Sequence, residues 1–388
     1  MYQNDLFCIP HSFLVVVDDV GWWCGDDHRY KNGPSRSGIG RRHHIEDYKV
    51  IIELGRSLNM RIKCGFVAGE WDRSNLLARV RNSNKYGALW DNASRLDPQI
   101  DEARDIINSE SDYMELALHG VMHMYWTDEG NMEYAEFYQT DKESGRNKMT
   151  PPDIVREHLD AFFEIMRQNG LTTDIKSFIP PCFRYVYSPG DDHLSSILAE
   201  YGIRYVSTPY ASMEYTTEEK PVGACVENGI INVDRTTDLI SWYAVDANPP
   251  DVVKKSYFGM HWPNFLNKDP EKNSETVKKW IKYFKQYKNN FEILPARDNT
   301  MGSVQALYKR FTDAAYYDGR ITLNFSEVDK QDAKDLDGIL YINIKKPFKP
   351  IPDESIETAL YEEHDSYNTY KITRRKPFAP AAVINITE

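Results

Sequence analysis

The sequence predicts an α/β protein in which strands and helices alternate over residues 10–310, as they do in a (β/α) barrel. Short apolar runs rich in β-branched residues, of which Phe13–Val17 is the clearest, are interleaved with segments whose apolar residues recur three and four apart. The runs do not alternate apolar with polar, the habit of parallel strands buried on both faces. They also deliver chemistry-bearing residues at their ends, as expected where strand ends open on one face of a barrel. An open doubly wound sheet is the alternative that the same alternation allows.

The series starts with Ser12–Gly21, SFLVVVDDVG. Charged side chains are almost never buried unpaired, so Asp18 and Asp19 belong at the end of that strand, at a cleft. Adjacent residues leaving a strand face opposite sides, so the pair can serve two purposes. A polar, glycine-rich connection, Gly21–Gly40, then carries Trp22 and Trp23. Exposed, they would stack on a sugar ring; folded under, they would anchor the loop. His43 and His44, either of which could face the site, precede a helix over Ile45–Leu58 with Tyr48, Ile51, Ile52 and Leu58 inward. Ile62–Val67 is the second strand, and a helix from Pro98 to Ile107 feeds a third over Met114–Leu118.

That strand leads into His119-Gly-Val-Met-His123 and a long loop, Met124–Met149, with Trp126, Tyr134, Phe137 and Tyr138. Thr150-Pro151-Pro152 is a strong helix start, and Asn169-Gly170 closes that helix after Gln168. Ser177–Pro181 is the next strand, followed by Cys182-Phe183-Arg184; then come a helix over Asp191–Glu200 and strands over Ile203–Ser207 and Gly229–Val233. Asp238, Trp242 and Asp246 are candidates to line the cleft, and a strand over Ser256–Met260 delivers His261. Val277, Trp280, Ile281, Phe284 and Tyr287 stripe a helix over Ser274–Lys288. Phe291–Leu294 and a helix over Gly302–Arg310 complete about seven strand–helix steps, the number that suits a barrel. Beyond Phe311 the helical signal stops. Ile321–Phe325, Ile339–Ile344 and Ala382–Ile386 are short strands between Asp-, Gly- and Pro-rich turns, so residues 1–310 read as the main domain and 311–388 as a small β-rich appendage.

At 388 residues, 41% apolar and 13% aromatic, the chain can build a large core. A net charge of −12 argues against a nucleic-acid partner. No stretch approaches the ~20 apolar residues of a membrane-spanning helix. The N-terminus, MYQNDLFCIP, lacks the layout of a secretion signal, and the five cysteines are odd in number with no CxxC spacing. Free thiols in a cytoplasmic protein without membrane insertion are the expectation. No segment argues for a particular oligomeric state.

Two histidines four apart can share one helical face, and with a carboxylate they form a set suited to a borderline divalent metal with open positions for water and substrate. An apolar strand ending in Asp-Asp and an H-x-x-x-H motif together resemble the polysaccharide deacetylase family of metal-dependent carbohydrate esterases. The resemblance covers about the first 300 residues and differs in detail. Gly120 stands where a Ser or Thr is usual, Arg184 lacks the usual R-x-P context, and Gly259 replaces the leucine of a late L-x-H motif. What it implies is a distorted, incomplete (β/α) barrel binding one divalent ion through Asp19, His119 and His123. Zinc is the default, with iron, cobalt and nickel also compatible. It further implies Asp18 as catalytic base, His261 as the acid and Arg184 as the cation that holds the base. The expected activity is removal of an N-acetyl or other N-acyl group from an amino sugar or polysaccharide. Two alternatives are a glycoside hydrolase, which would need a second carboxylate such as Asp238 or Asp246 across the cleft, and a carbohydrate-binding protein with a degenerate site.

Overall fold

A nine-stranded sheet, strongly wound, forms the centre of the chain in the computed structural model, which describes residues 6–25, 36–133, 135–190, 193–237, 239–251 and 257–388. Its strands are β1 (His11–Val20), β2 (Ile62–Phe66), β3 (Met114–Leu118), β4 (Ser177–Phe178), β5 (Tyr205–Thr208), β6 (Ala224–Glu227), β7 (Ile230–Asp234), β8 (Tyr257–His261) and β9 (Ile293–Pro295). The order is β6-β7-β5-β4-β3-β2-β1-β8, with β9 on the first three residues of β1. All pairings are parallel except the β6–β7 hairpin. Helices α1 (Ile45–Leu58), α2 (Ile100–Ser109), α3 (Pro152–Gln168), α4 (Leu194–Glu200), α5 (Asn273–Lys285) and α6 (Asn299–Phe311) flank it.

The α/β class and the order of its elements agree with the sequence reading. The core is barrel-like and distorted, and a continuous ladder does not close it. An isolated bridge from Arg235 to Tyr257, with Thr236 N donating to Tyr257 O at 3.0 Å, draws the β7 and β8 edges together. The weakest step is β4, which spans two residues where five were expected and shares one pair with β3, Leu118 with Phe178. Prolines explain this: Pro180 and Pro181 have no backbone N–H to extend the ladder. The antiparallel β6 was not foreseen, because its turn with β7 is an αL pair, Asn228-Gly229, inside what reads as one loop.

Residues beyond 311 form seven strands among those described, where three were expected. Asp313–Tyr317, Arg320–Asn324, Ala381–Thr387 and Lys349–Pro352 make one four-stranded sheet. Ile339–Lys345, Tyr367–Arg374 and Ile356–Glu363 make another, completed on its edge by Phe7–Cys8 from the other end of the chain. Two are strongly polar, IETALYEE and YNTYKITR, and an apolar-run criterion passes over them.

Candidate metal centre

The centre starts from an irregularity in β1. That strand does not end at the Asp pair but runs through it to Val20, all of it buried beyond His11. Val17 pairs with Cys64 and Val20 with Phe66, so β1 carries one extra residue there, a β-bulge at Asp18-Asp19. Asp19 takes φ +65°, a left-handed conformation that a short polar side chain tolerates better than most. The bulge, rather than the strand's end, separates the two carboxylates.

His119 and His123 do not lie on a helix, as their spacing allowed. They occupy the loop after β3, which curls through Gly120 at φ +92° and His123 at φ +65°. Glu136 holds the curl: its Oε1 accepts from Val121 N at 3.0 Å and its Oε2 from Met122 N at 3.1 Å. His158 lies 2.9 Å from the same carboxylate through Nδ1, and its Nε2 donates to Arg81 O at 2.7 Å. A Cβ on Gly120 would sit 2.2 Å from Glu136 Oε2, so serine cannot replace glycine here without moving Glu136. His119 donates from Nδ1 to Ile179 O at 2.7 Å, which leaves the Nε2 lone pair for the centre. Cys182 Sγ is 4.0 Å from His123 Nδ1.

The loop brings His119 Nε2 and His123 Nε2 each to 3.6 Å from Asp19 Oδ1, and one ligand atom from each of the three residues lies within 4.8 Å of the others. All three side chains are buried. Both oxygens of Asp19 are buried without an aligned hydrogen bond, and the cation beside them is Arg36, with Nη2 3.3 Å from Oδ2. One carboxylate and two imidazoles therefore fit a divalent metal.

Asp18 has a different environment. Arg235 Nη1 donates to its Oδ1 at 2.9 Å, and its Oδ2 is buried with no hydrogen bond. Burial pushes the Asp18 carboxyl up, but Arg235, His119 and His261 together push harder the other way, so it is held below its ordinary value. Asp19 lies well below the usual range, with burial opposed by Arg36, His123, His119 and His261. His261, at the end of β8, has Nε2 3.8 Å from Asp19 Oδ2.

The guanidinium on Asp18 is thus that of Arg235 and not that of Arg184, which donates to Thr140 Oγ1 at 2.7 Å. Arg235 comes just after a largely apolar run, Ile230–Val233, much as Asp18 does after Phe13–Val17, and that signal was available in the sequence. Gly259 explains its own departure from the family pattern: a Cβ there would sit 1.8 Å from Arg235 Nη2. Arg36, over the ring of Trp242 at 5.0 Å, also enters the centre and carried no sequence signal.

Other candidates fall elsewhere. Trp22 and Trp23 are fully buried and anchor their loop, Trp23 against Tyr48 and Trp71. His44 caps α1, and His43 pairs with Asp47 and stacks on Trp262 at 4.0 Å. Asp246 accepts from Thr276 Oγ1 at 2.6 Å and from Lys279 Nζ at 2.8 Å. Asp238, Tyr134, Asp191 and Ser256 lie outside the described residues. None of the five cysteines forms a disulfide, and no described helix is long and apolar enough to cross a membrane.

The sequence matches no known family and no curated protein. Among solved structures it is similar to a Mycobacterium smegmatis protein assigned as a polysaccharide deacetylase, at 10% identity and a TM-score of 0.40, covering 76% of this chain and 88% of that one. It is also similar to a GH57-type branching enzyme from Pyrococcus horikoshii, at 11% identity and a TM-score of 0.36, covering 78% of this chain and 64% of that one. Likenesses this distant carry no functional argument, which rests on the centre itself.

Proposed function

We propose that the chain is a metal-dependent amide hydrolase that removes an N-acetyl or other N-acyl group from an amino sugar or polysaccharide. The observation that carries the reading is the division of the adjacent aspartates: Asp19 faces two imidazoles, and Asp18 faces Arg235 with one oxygen left over. Asp19, His119 and His123 would hold a divalent ion, zinc by default, which would supply Lewis acidity toward an acyl carbonyl and lower the pKa of water.

The remaining roles fall to the chain's own groups. Asp18 is the base: ionised at neutral pH, it takes the proton of the attacking water on Oδ2 while Arg235 fixes Oδ1. His261 stands on the same rim and gives a proton to the departing amine nitrogen. Buried walls around Asp18 and Asp19 keep bulk water from competing for these contacts.

The test is release of free amine from N-acetylated amino sugars by the metal-loaded protein, before and after chelation. Loss on chelation and recovery on adding zinc is the expected result. Absence of amine release from every N-acyl sugar, with the metal in place, would overturn the proposal.

A further inference from the structure

Arg36 sits inside the ligand cluster. Its side chain is buried, with Nη2 3.0 Å from His123 Nε2 and 3.3 Å from Asp19 Oδ2. A guanidinium has donors and no acceptor, so in the first contact the proton belongs to Arg36 and His123 Nε2 offers its lone pair. An unprotonated ring nitrogen has one lone pair in the ring plane, which can accept that hydrogen bond or bind a metal, but not both. The guanidinium and a metal ion therefore compete for the same orbital of His123 and for the charge of Asp19.

We propose that Arg36 is the internal counter-ion of the metal-free centre and exchanges with the metal, which reaches His123 only when Arg36 withdraws. The inference rests on the metal reading of Asp19, His119 and His123. In the metal-free protein Arg36 offsets a buried carboxylate that would otherwise stand without a full positive charge beside it. The Trp242 ring under the guanidinium offers it a place at the edge of the centre once the lone pair is taken. Metal affinity is then set below what three well-placed ligands would give, because each binding event breaks a buried charge-assisted hydrogen bond.

The experiment measures zinc and cobalt dissociation constants by chelator competition on metal-stripped protein, for wild type, Arg36→Met, Arg36→Gln and His119→Ala. Breaking one hydrogen bond to a charged group corresponds to about ten- to a hundredfold in affinity, so Arg36→Met should bind zinc tighter by about that factor. Its metal-free form should unfold at lower denaturant than the wild type, and metal should remove the difference. Arg36→Gln keeps a shorter donor and should fall between; it serves alone if Arg36→Met does not fold. Equal or weaker affinity in the Arg36 variants, with binding abolished in His119→Ala, overturns the exchange and leaves the metal centre standing. Absence of binding in the wild type and in every Arg36 variant overturns both.

Discussion

Two of the residues that depart from the resembled family, Gly120 and Gly259, are explained by what fills the space beside them. Glu136 Oε2 lies against one, and the Arg235 guanidinium lies against the other. Sequence reasoning could see the departures but not their partners, which are 16 and 24 positions away and carry ordinary labels, an acid in a loop and a cation after a strand. A Gly259→Ala substitution should push Arg235 off Asp18. Turnover should fall by about 10²-fold, the lower range for losing a well-set general base, while metal content stays unchanged. A kcat equal to wild type would remove Arg235 from the account. Gly120→Ser, which restores the residue usual in the family, should here weaken metal binding, and so should Glu136→Gln. The expected loss for either is about 10- to 100-fold, the usual cost of disturbing a group behind a ligand. Chelator competition measures both, and unchanged affinity in Glu136→Gln would make Glu136 a structural acid only. Asp19 and His119 were legible because each stands where an apolar run ends in the sequence, and His123 by its spacing from His119. Arg36 was not, since nothing in a loop sequence says which side chain turns inward.

At the scale of elements, sequence period placed α1 and β3 at their observed bounds and most other strands and helices within a few residues. What it could not place were features made by hydrogen-bond geometry. The bulge in β1 and the curl after β3 depend on left-handed backbone at Asp19 and His123, residues that give no glycine-like warning. The entry to α1 is another such feature. Asp47 accepts from both ends of the Arg41 guanidinium, from Asn273 Nδ2 at 2.7 Å and from His44 N at 3.0 Å, and pairs with His43 Nδ1 at 2.9 Å. It thereby ties the start of α1 to the start of α5. Burial raises its pKa, and the bonds from Arg41 and His43 outweigh that, so the net shift is downward from 3.8. A carboxyl with a depressed folded value contributes stability that is fully present above its unfolded value and lost as pH falls through the folded one. Asp47→Asn should therefore lower stability at pH 7 by about 3–5 kcal/mol, as removing one partner of a buried charged pair does. The stability of the variant should also fall less steeply than that of the wild type below about pH 4. Urea unfolding at pH 7 and pH 3 measures both. An equal drop in the two proteins between those pH values would contradict the assignment.

For the molecule as a whole, the sequence reading separates residues 311–388 from the rest, and the expected boundary falls at the end of α6. The packing bears on how independent that part is. One apolar core includes Phe13 and Val15 of β1 together with Leu323, Ile342 and Ile384 of the late strands. Gln305 on α6 donates to both Pro10 O and Tyr341 O, and Phe7–Cys8 pairs with Ile339–Lys345. We therefore expect residues 311–388 to unfold with the central sheet: tryptophan fluorescence, from residues that all lie before 281, and far-UV dichroism should give coincident urea transitions. A separate dichroism transition would show an independent unit. The pairing of Phe7–Cys8 with Ile339–Lys345 leaves no local trace in the sequence.

The division of labour between two adjacent aspartates is the central claim, and paired metal analysis and turnover on Asp18→Asn and Asp19→Asn test it most directly. With an N-acetylated amino sugar as substrate, Asp18→Asn should retain one ion per chain and lose turnover by at least about 10²-fold, since the amide keeps the shape and loses the proton acceptor. Asp19→Asn should lose the ion itself, and activity with it. If Asp18→Asn released the metal, or if Asp19→Asn kept it at wild-type stoichiometry, the roles assigned to the pair would be wrong.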